Sequence, residues 1–331
     1  MHAVIEATDS NFNHYWSELF ANDPLQNPFY SPQTRACLNK TRSDLGFINR
    51  SFVIIDSDKP VFACSLTMHI DDSGKKCLGY FGFEASTHVN RMSMESTSNN
   101  FRPESVFLLQ QHINQLIEEI QPDSLEYLDP VSCGMMSPVT QVLLEKGARP
   151  IVQTAKIIDL SKSLPELQRN IHKPKRALIY WGQRHLVLER ISGASFEDTA
   201  AQSLAHIFDE AITSGTSPCS SLQTYEQLIR QDKAFLVQGT RAGKTESCAL
   251  FLHADRTCHF VFGSSLPQSE ERPLLHALIW EAIQYSKKIG CTQFEIGRMA
   301  KTDDVKSSRT QLLNDFGADS QTRLKLCLIA N

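Results

Sequence analysis

Short apolar runs bounded by turn residues alternate with stretches of helical spacing, and the same order occurs twice along the chain. In the first half, Phe52-Val-Ile-Ile55 is predicted as a strand, Asp56-Ser-Asp-Lys-Pro60 as a turn and Val61 to His69 as a second strand. Asp71-Asp-Ser-Gly74 turns the chain again before a third strand from Cys77 to Phe83. After a polar loop, Val106, Leu109, His112, Ile113, Leu116, Ile117 and Ile120 line one side of a helix predicted from Glu104 to Ile120, and Leu125-Glu-Tyr-Leu128 closes the unit as a strand.

The second half repeats this order. Ala234-Phe-Leu-Val237, Ser247 to His253 and Cys258 to Phe262 read as strands separated by turns. Gly263 to Arg272 reads as a loop, and Pro273 to Lys288 as a helix with proline at its start and Gly290 just past its end. Thr292 to Ile296 is the closing strand. Two copies of hairpin, strand, helix, strand predict a duplicated α+β architecture, each copy a mixed sheet flanked by helices. The boundary is placed between residues 160 and 161, with Leu164 to Arg190 read as a helical opening to the second unit. Six Lys or Arg residues lie between Arg169 and Arg190 against one acid, Glu189, and Pro174 must start, kink or interrupt any helix there.

Composition narrows the class. At 331 residues the chain is long enough for two domains, and 41% hydrophobic with 21% charged residues fits a globular protein. A formal net charge of -4 gives no global attraction to nucleic acid or anionic membrane. No apolar run is long enough to span a bilayer, and the start of the chain lacks the basic and apolar regions of a signal peptide, so a cytoplasmic location is expected. The nine cysteines are dispersed with no C-x-x-C pair, which suits free thiols in a reducing compartment and offers no metal-ligand spacing.

Four segments are candidates for chemistry. The loop Gly263-Ser-Ser-Leu-Pro-Gln-Ser-Glu-Glu-Arg272 runs from a strand into a helix start, where free backbone N–H groups favour an anion. Phe262, Gly263, Ser264, Ser265 and Arg272 are the candidate binding residues there, for an anionic group of a bound molecule. In His172-Lys-Pro-Lys-Arg176, Lys173 and Arg176 can grip phosphate, and Trp181 can pack beneath a sugar or sit in the core. In Asn27-Pro-Phe-Tyr-Ser-Pro-Gln33, Ser31 and Pro32 read as a helix start, Tyr30 and Gln33 as cleft residues and Phe29 as packing. Gly239-Thr-Arg-Ala-Gly-Lys-Thr245 looks like a phosphate loop, but it is one residue short and lies between two strands of a hairpin. No protease-like nucleophile signature is present. Cys258 and His259 are adjacent on a strand and face opposite ways, leaving His259, Glu295 and Asp129 as candidate bases.

Several of these segments resemble the Fem-type transferases of the GNAT acyltransferase superfamily. His172-Lys-Pro-Lys-Arg-Ala-Leu-Ile-Tyr-Trp-Gly182 is similar to the family's HKxxRxxIxxA/G helix. Leu275 to Gly290 with Phe294-Glu-Ile-Gly297 is similar to its LxWxAIxxAxxxGxxxFDLG helix and strand. Asn314-Asp-Phe-Gly317 resembles FKxxFG, and Asn27 to Gln33 resembles PFQSPxW. Glu295 stands where the family often has Asp, and Asn314 where Lys is common.

The resemblance implies two tandem GNAT-like domains and transfer of an acyl or aminoacyl group to an amine of a nucleotide-sugar, lipid-linked or other cell-envelope precursor. No tightly bound cofactor is implied. Acyl-CoA, acetyl-CoA in the simplest case, is the implied co-substrate, although the R/Q-x-x-G-x-G/A pyrophosphate signature is missing from residues 263–272. The helical arm that contacts transfer RNA is not visible either, so an aminoacyl-tRNA donor is less favoured. A ligand-binding member without catalysis is the alternative. The implied catalytic residues are Glu295 and His259.

Overall fold

The computed structural model describes residues 2–23, 26–44, 46–71, 73–79, 93–95, 102–129, 131, 136–213, 221–265, 274–300 and 308–329. The first half runs β1 (His2–Glu6), α1 (Phe12–Asn22), α2 (Pro32–Asp44), β2 (Ile48–Asn49), β3 (Phe52–Asp56), β4 (Lys59–Cys64), β5 (Thr67–Ile70), β6 (Lys76–Gly79), β7 (Ser93–Glu95), α3 (Pro103–Ile120), β8 (Ser124–Asp129), α4 (Pro138–Glu145) and β9 (Arg149–Asp159). The second half runs α5 (Leu164–Asn170), α6 (Lys173–His185), β10 (Val187–Ile191), α7 (Asp198–Thr213), α8 (Leu222–Arg230), β11 (Ala234–Arg241), β12 (Lys244–His253), β13 (Thr257–Ser265), α9 (Leu275–Lys288), β14 (Gln293–Ala300), α10 (Ser308–Asp315) and β15 (Asp319–Ile329).

Local chemistry sets several of these boundaries. Asn27 accepts from the Phe29 N–H and opens a 3₁₀ turn over Pro28–Tyr30. Ser31 then accepts from the Thr34 N–H at 3.2 Å as Pro32 begins α2. At the end of α9, Gly290 adopts φ +97°, and the Cys291 N–H returns to the Ser286 carbonyl.

The repeat predicted from the pattern is present. In each half a strand that follows a hairpin pairs in parallel with the strand after the helix: β13 pairs β14 across α9, and β6 pairs β8 across α3, with β7 inserted between β6 and α3 and paired to β4 in the smaller sheet. The strands form a four-stranded sheet, β1-β3-β4-β7, and an eleven-stranded sheet, β10-β11-β12-β13-β14-β9-β15-β8-β6-β5-β2. The large sheet is continuous across residues 160 and 161, because β9 pairs with both β14 and β15, and β15 in turn pairs with β8.

Helices cover both faces of the large sheet. On one face, α6 and α9 pack on Cys258, Phe251 and Phe294 through Ile179, Leu278, Ile279 and Ile283. On the opposite face, α7 and α8 pack on Leu250, Val261 and Phe262 through Leu204, Ile207, Tyr225 and Leu228, and Phe29 joins this cluster from the 3₁₀ turn. In the first half α3 and α4 pack on Tyr127 and Leu326, while Phe12, Trp16 and Leu19 of α1 cover Val53 and Ala63.

Several boundaries differ from the sequence expectation. The strand expected over Val61–His69 breaks at Ser65–Leu66 and serves two sheets. The main chain of Leu66 is satisfied at the break by the Arg50 N–H and the Ser51 hydroxyl. Leu164–Arg190 is not one helix. Pro174 lies in the first turn of α6, with Ile171 and His172 extended before it, and Val187–Arg190 belong to β10, paired with β11. The expected loop after Phe262 starts later, since β13 runs to Ser265. Residues 80–83 of the third expected strand, and Pro273, lie outside the described residues. The phosphate-loop look-alike is a tight hairpin, with Ala242 at φ 50° and Gly243 at φ 75° joining β11 to β12.

Candidate active site

The parallel ladder between β13 and β14 is short. Thr257 pairs with Gln293, Cys258 with Phe294 and His259 with Glu295, and there it stops. Both strands continue. β13 remains on β12 as far as Ser247↔Ser265, and β14 remains on β9 as far as Ala300↔Gln153. A register shift between Leu250 and Phe251 on the β12 side, and another between Glu295 and Gly297 on the β9 side, turn the two strands at the point where they part. Gly297 has φ +149°, a conformation side chains resist, and a Cβ there would lie 3.0 Å from Leu313. Past this point residues 260–265 and 296–300 make no ladder pair with each other among the described residues, so the two facing strand edges part.

Four buried polar residues occupy the apex. Because Cys258 and Phe294 face the α9 side, His259 and Glu295 face the other way, toward Phe29. His259 Nδ1 is 3.9 Å from Glu295 Oε1, and the ring meets the Phe29 edge at a centroid distance of 5.6 Å. Arg298 Nε stands 3.4 Å from Glu295 Oε1, and an Arg323 nitrogen 3.9 Å from Oε2. Arg298 also reaches Gln153 Oε1 at 3.5 Å. All four residues are at most 8% exposed. Burial is the main cause that lowers the His259 pKa. Glu295 opposes the shift, while Arg298 and Arg323 add to it, so the imidazole is neutral at neutral pH. A neutral imidazole beside a carboxylate can accept a proton.

The expected donor residues border the opening but serve it differently. Phe262 is core, with its ring edge-on to Tyr225 at 5.5 Å and Phe208 at 6.1 Å. Gly263 is set by strand packing, because a Cβ would lie 2.7 Å from Ala249 Cβ and 2.9 Å from the Cys248 oxygen. The Ser264 carbonyl accepts from Ser247 Oγ at 2.9 Å, and its hydroxyl contacts Glu210. Ser265 ends β13, and Arg272 lies outside the described residues.

Of the expected substrate residues, Lys173 is exposed and Arg176 half-buried at the amino-terminal end of α6, on the face opposite His259. Trp181 is half-buried against His185 at 4.6 Å, with the Arg241 guanidinium 6.0 Å from its ring. Tyr30 is 3% exposed and packs with Trp16, so it is core. Gln33 is exposed. It is Phe29, expected only to pack, that touches the apex. Asp129 is committed to structure: its carboxylate accepts from the Val131 and Ser137 N–H groups and the Thr140 hydroxyl at 2.6–2.7 Å.

Three of the sequence motifs meet at one joint beside the opening. Asp315 accepts from Lys175 Nζ at 3.0 Å and pairs with His276 Nε2 at 2.8 Å, linking α10, α6 and α9. Phe316 stacks on His276 at 5.6 Å. Gly317 has φ +64°, and a Cβ there would lie 2.3 Å from the Asn170 carbonyl oxygen. Gly182 of α6 lets α9 approach, since its Cβ would fall 2.4 Å from Ala277 Cβ. These motif residues hold α6, α9 and α10 together.

Among the described residues no group of three or more His, Cys, Asp or Glu side chains is placed to hold a metal ion, and no helix is long and apolar enough to cross a membrane.

An opening between parallel strands, repeated hairpin–strand–helix–strand units and one sheet running through both define the tandem GNAT fold. Solved structures share this fold. A structure described as FemX matches with a TM-score of 0.71 at 13% identity, over 99% of this chain and 98% of the other. A tandem GNAT protein from the clavulanic acid biosynthesis pathway matches at 0.58 and 11% identity, over 100% and 99%. L-PGS from Bacillus licheniformis matches at 0.53 and 10% identity, over 84% and 83%. At these identities the likeness is one of fold. No family model and no curated protein matches the chain.

Proposed function

We propose that this protein is an N-acyltransferase that passes an acyl or aminoacyl group to the amine of a nucleotide-sugar or lipid-linked envelope precursor. The observation that carries the reading is the early end of the β13–β14 ladder at His259 and Glu295. It leaves two strand edges with main-chain donors and acceptors facing a slot, which suits an extended donor such as acetyl-CoA. The donor arm lies along Phe262–Ser265, with Arg272 following in the chain, and main-chain N–H groups of that edge polarise the acyl carbonyl.

As the amine attacks the acyl carbonyl, His259, neutral and buried, takes its proton, directly or through water, and gives it to the departing CoA thiolate (the ester oxygen of an aminoacyl donor) when the donor's acyl bond breaks; Glu295 positions the imidazole. Arg298 and Arg323 hold Glu295 in turn. Lys173 and Arg176 offer cations to the phosphate of a substrate from the α6 side, with Trp181 beside them and Gln33 at the surface. In the first repeat the parallel pairs among the described residues are Cys77↔Ser124 and Leu78↔Leu125, neither an acid–base pair, which favours the second repeat as the place of chemistry.

Thermal unfolding with acetyl-CoA and with a UDP-amino sugar tests the reading. Each ligand at a hundred times its Kd is expected to add about 2.7 kcal/mol of stability. Stabilisation by the sugar alone would favour a binding protein without transfer, and stabilisation by neither would reject the proposal.

A further inference from the structure

The 3₁₀ turn over Pro28–Tyr30 sends two neighbouring rings into different cores. Tyr30 joins Trp16, Val53 and Ala63 of the first half, and Phe29 joins Leu204, Leu228 and Phe262 of the second. Both rings are buried. The turn between them is held at several points. Asn27 Oδ1 accepts from the Phe29 N–H at 3.0 Å, and the Asn27 carbonyl accepts from the Tyr30 N–H at 2.9 Å. Trp16 Nε1 donates to the Tyr30 carbonyl at 2.9 Å, and Ser31 Oγ accepts from the Thr34 N–H where α2 begins. Phe29 cannot swing without disturbing one of the two cores, since close-packed interiors leave little room for adjustment.

This fixed ring is what His259 meets on the face away from α9. The ring centroids are 5.6 Å apart and the planes cross at 83°. The charged groups that act on His259 are Glu295 and Arg298 of β14 and Arg323 of β15, and the turn adds no charge of its own at neutral pH. At 3.9 Å the Glu295 carboxylate attracts Nδ1 but lies beyond hydrogen-bond length, so it does not by itself fix the rotation of the imidazole. The perpendicular contact with Phe29 supplies a second restraint, in a geometry that aromatic rings favour.

We infer that Phe29 is the positioning residue of His259: its ring, clamped between the two cores, sets the angle of the imidazole and keeps water from that side of it. The inference rests on the acyltransfer reading and deepens it, because the group that takes the amine proton in the second half is then aligned by a turn from the first.

NMR titration of the histidine rings in the full chain tests this without any substrate, the His259 signal being assigned by its loss in His259→Gln. Burial holds the pKa of His259 below its ordinary value. Admitting water beside the ring is therefore expected to move its midpoint up toward the ordinary value in Phe29→Ala, and less far in Phe29→Leu, which keeps most of the bulk. Leu38→Ala removes a side chain of α2 from the same core cluster and is expected to leave the midpoint in place. With an active donor and acceptor pair, Phe29→Ala is expected to lower kcat about ten- to a hundred-fold with KM little changed, and Phe29→Leu to restore part of the loss. An unmoved midpoint in Phe29→Ala, or an equal shift in Leu38→Ala, would overturn the inference. If the alanine variant does not fold, an unmoved midpoint in Phe29→Leu overturns it instead. A midpoint that moves in a protein without turnover sinks the transfer reading and not the Phe29 contact, and turnover that Phe29→Ala leaves unchanged does the reverse.

Discussion

His259 and Glu295 face each other, 3.9 Å apart, across the last rung of the parallel ladder between β13 and β14. The same pair therefore marks where the parallel ladder ends and, on the proposed reading, forms the acid–base couple. Arg298 reaches Glu295 along β14 and Arg323 reaches it from β15, across the intervening β9. The proposed chemistry is tied into the sheet core rather than placed on a loop.

Glu295 is shared by three buried groups, and removing one partner of a buried ion pair is costly. Glu295→Ala is expected to lower stability by about 3 kcal/mol, read from urea unfolding. Glu295→Gln is expected to cost less, because its amide oxygen still accepts a hydrogen bond. An alanine variant as stable as the wild type would show that the carboxylate does not organise the apex.

Burial lowers the pKa of His259, and likewise those of His112 and His253, below the ordinary value of 6.5. The folded state then binds fewer protons than the unfolded state between the lowered values and 6.5. Stability from these groups is complete above pH 6.5 and is lost as pH falls from there through the folded values. His259→Gln is expected to flatten the slope of unfolding free energy against pH in that window, by up to about 1.4 kcal/mol per pH unit. An unchanged slope would mean that His259 is charged in the folded state.

The close approach of α6 to α9 depends on Gly182. Gly182→Ala places a methyl group 2.4 Å from Ala277 Cβ, and the overpacking is expected to cost about 1–3 kcal/mol despite the better helix propensity of alanine. Ala277→Gly in the same chain should recover most of that loss. A neutral single variant would show that the helices move apart freely.

Kinetics separate the two faces of the site. With an active donor and acceptor pair, His259→Ala is expected to lower kcat by about 10²- to 10⁴-fold. Arg176→Ala is expected to raise the acceptor KM more than it lowers kcat, as the loss of a binding contact should. An Arg176 variant with unchanged KM would remove that residue from phosphate binding.

The repeat was legible in the sequence because each unit joins short apolar runs bounded by turn residues to a strongly amphipathic helix, as in Cys258–Phe262 followed by Leu275–Lys288. His259 and Glu295 could be picked out individually, but their pairing depends on parallel register, which no local pattern encodes. Strands β9 and β15 escaped notice. Arg149-Pro-Ile-Val-Gln-Thr and Asp319-Ser-Gln-Thr-Arg carry mostly polar residues at their outer ends, where the sheet is only partly covered. Arg298 and Arg323 were missed for a related reason: arginine on a strand normally signals a solvent face, and here the carboxylate that justifies burial lies on another strand for Arg323 and beyond a bulge for Arg298. The Ser264–Glu210 contact joins residues 54 positions apart and leaves no sequence trace.

The central claim is that the gap between β13 and β14 receives the acyl donor. Hydrogen–deuterium exchange with and without acetyl-CoA tests it most directly. The account expects slower exchange at the amides of residues 260–265 and 296–300, with β11 and β12 unchanged as an internal control. Bound acetyl-CoA that leaves those two edges unprotected, or protects only segments remote from His259, would contradict it.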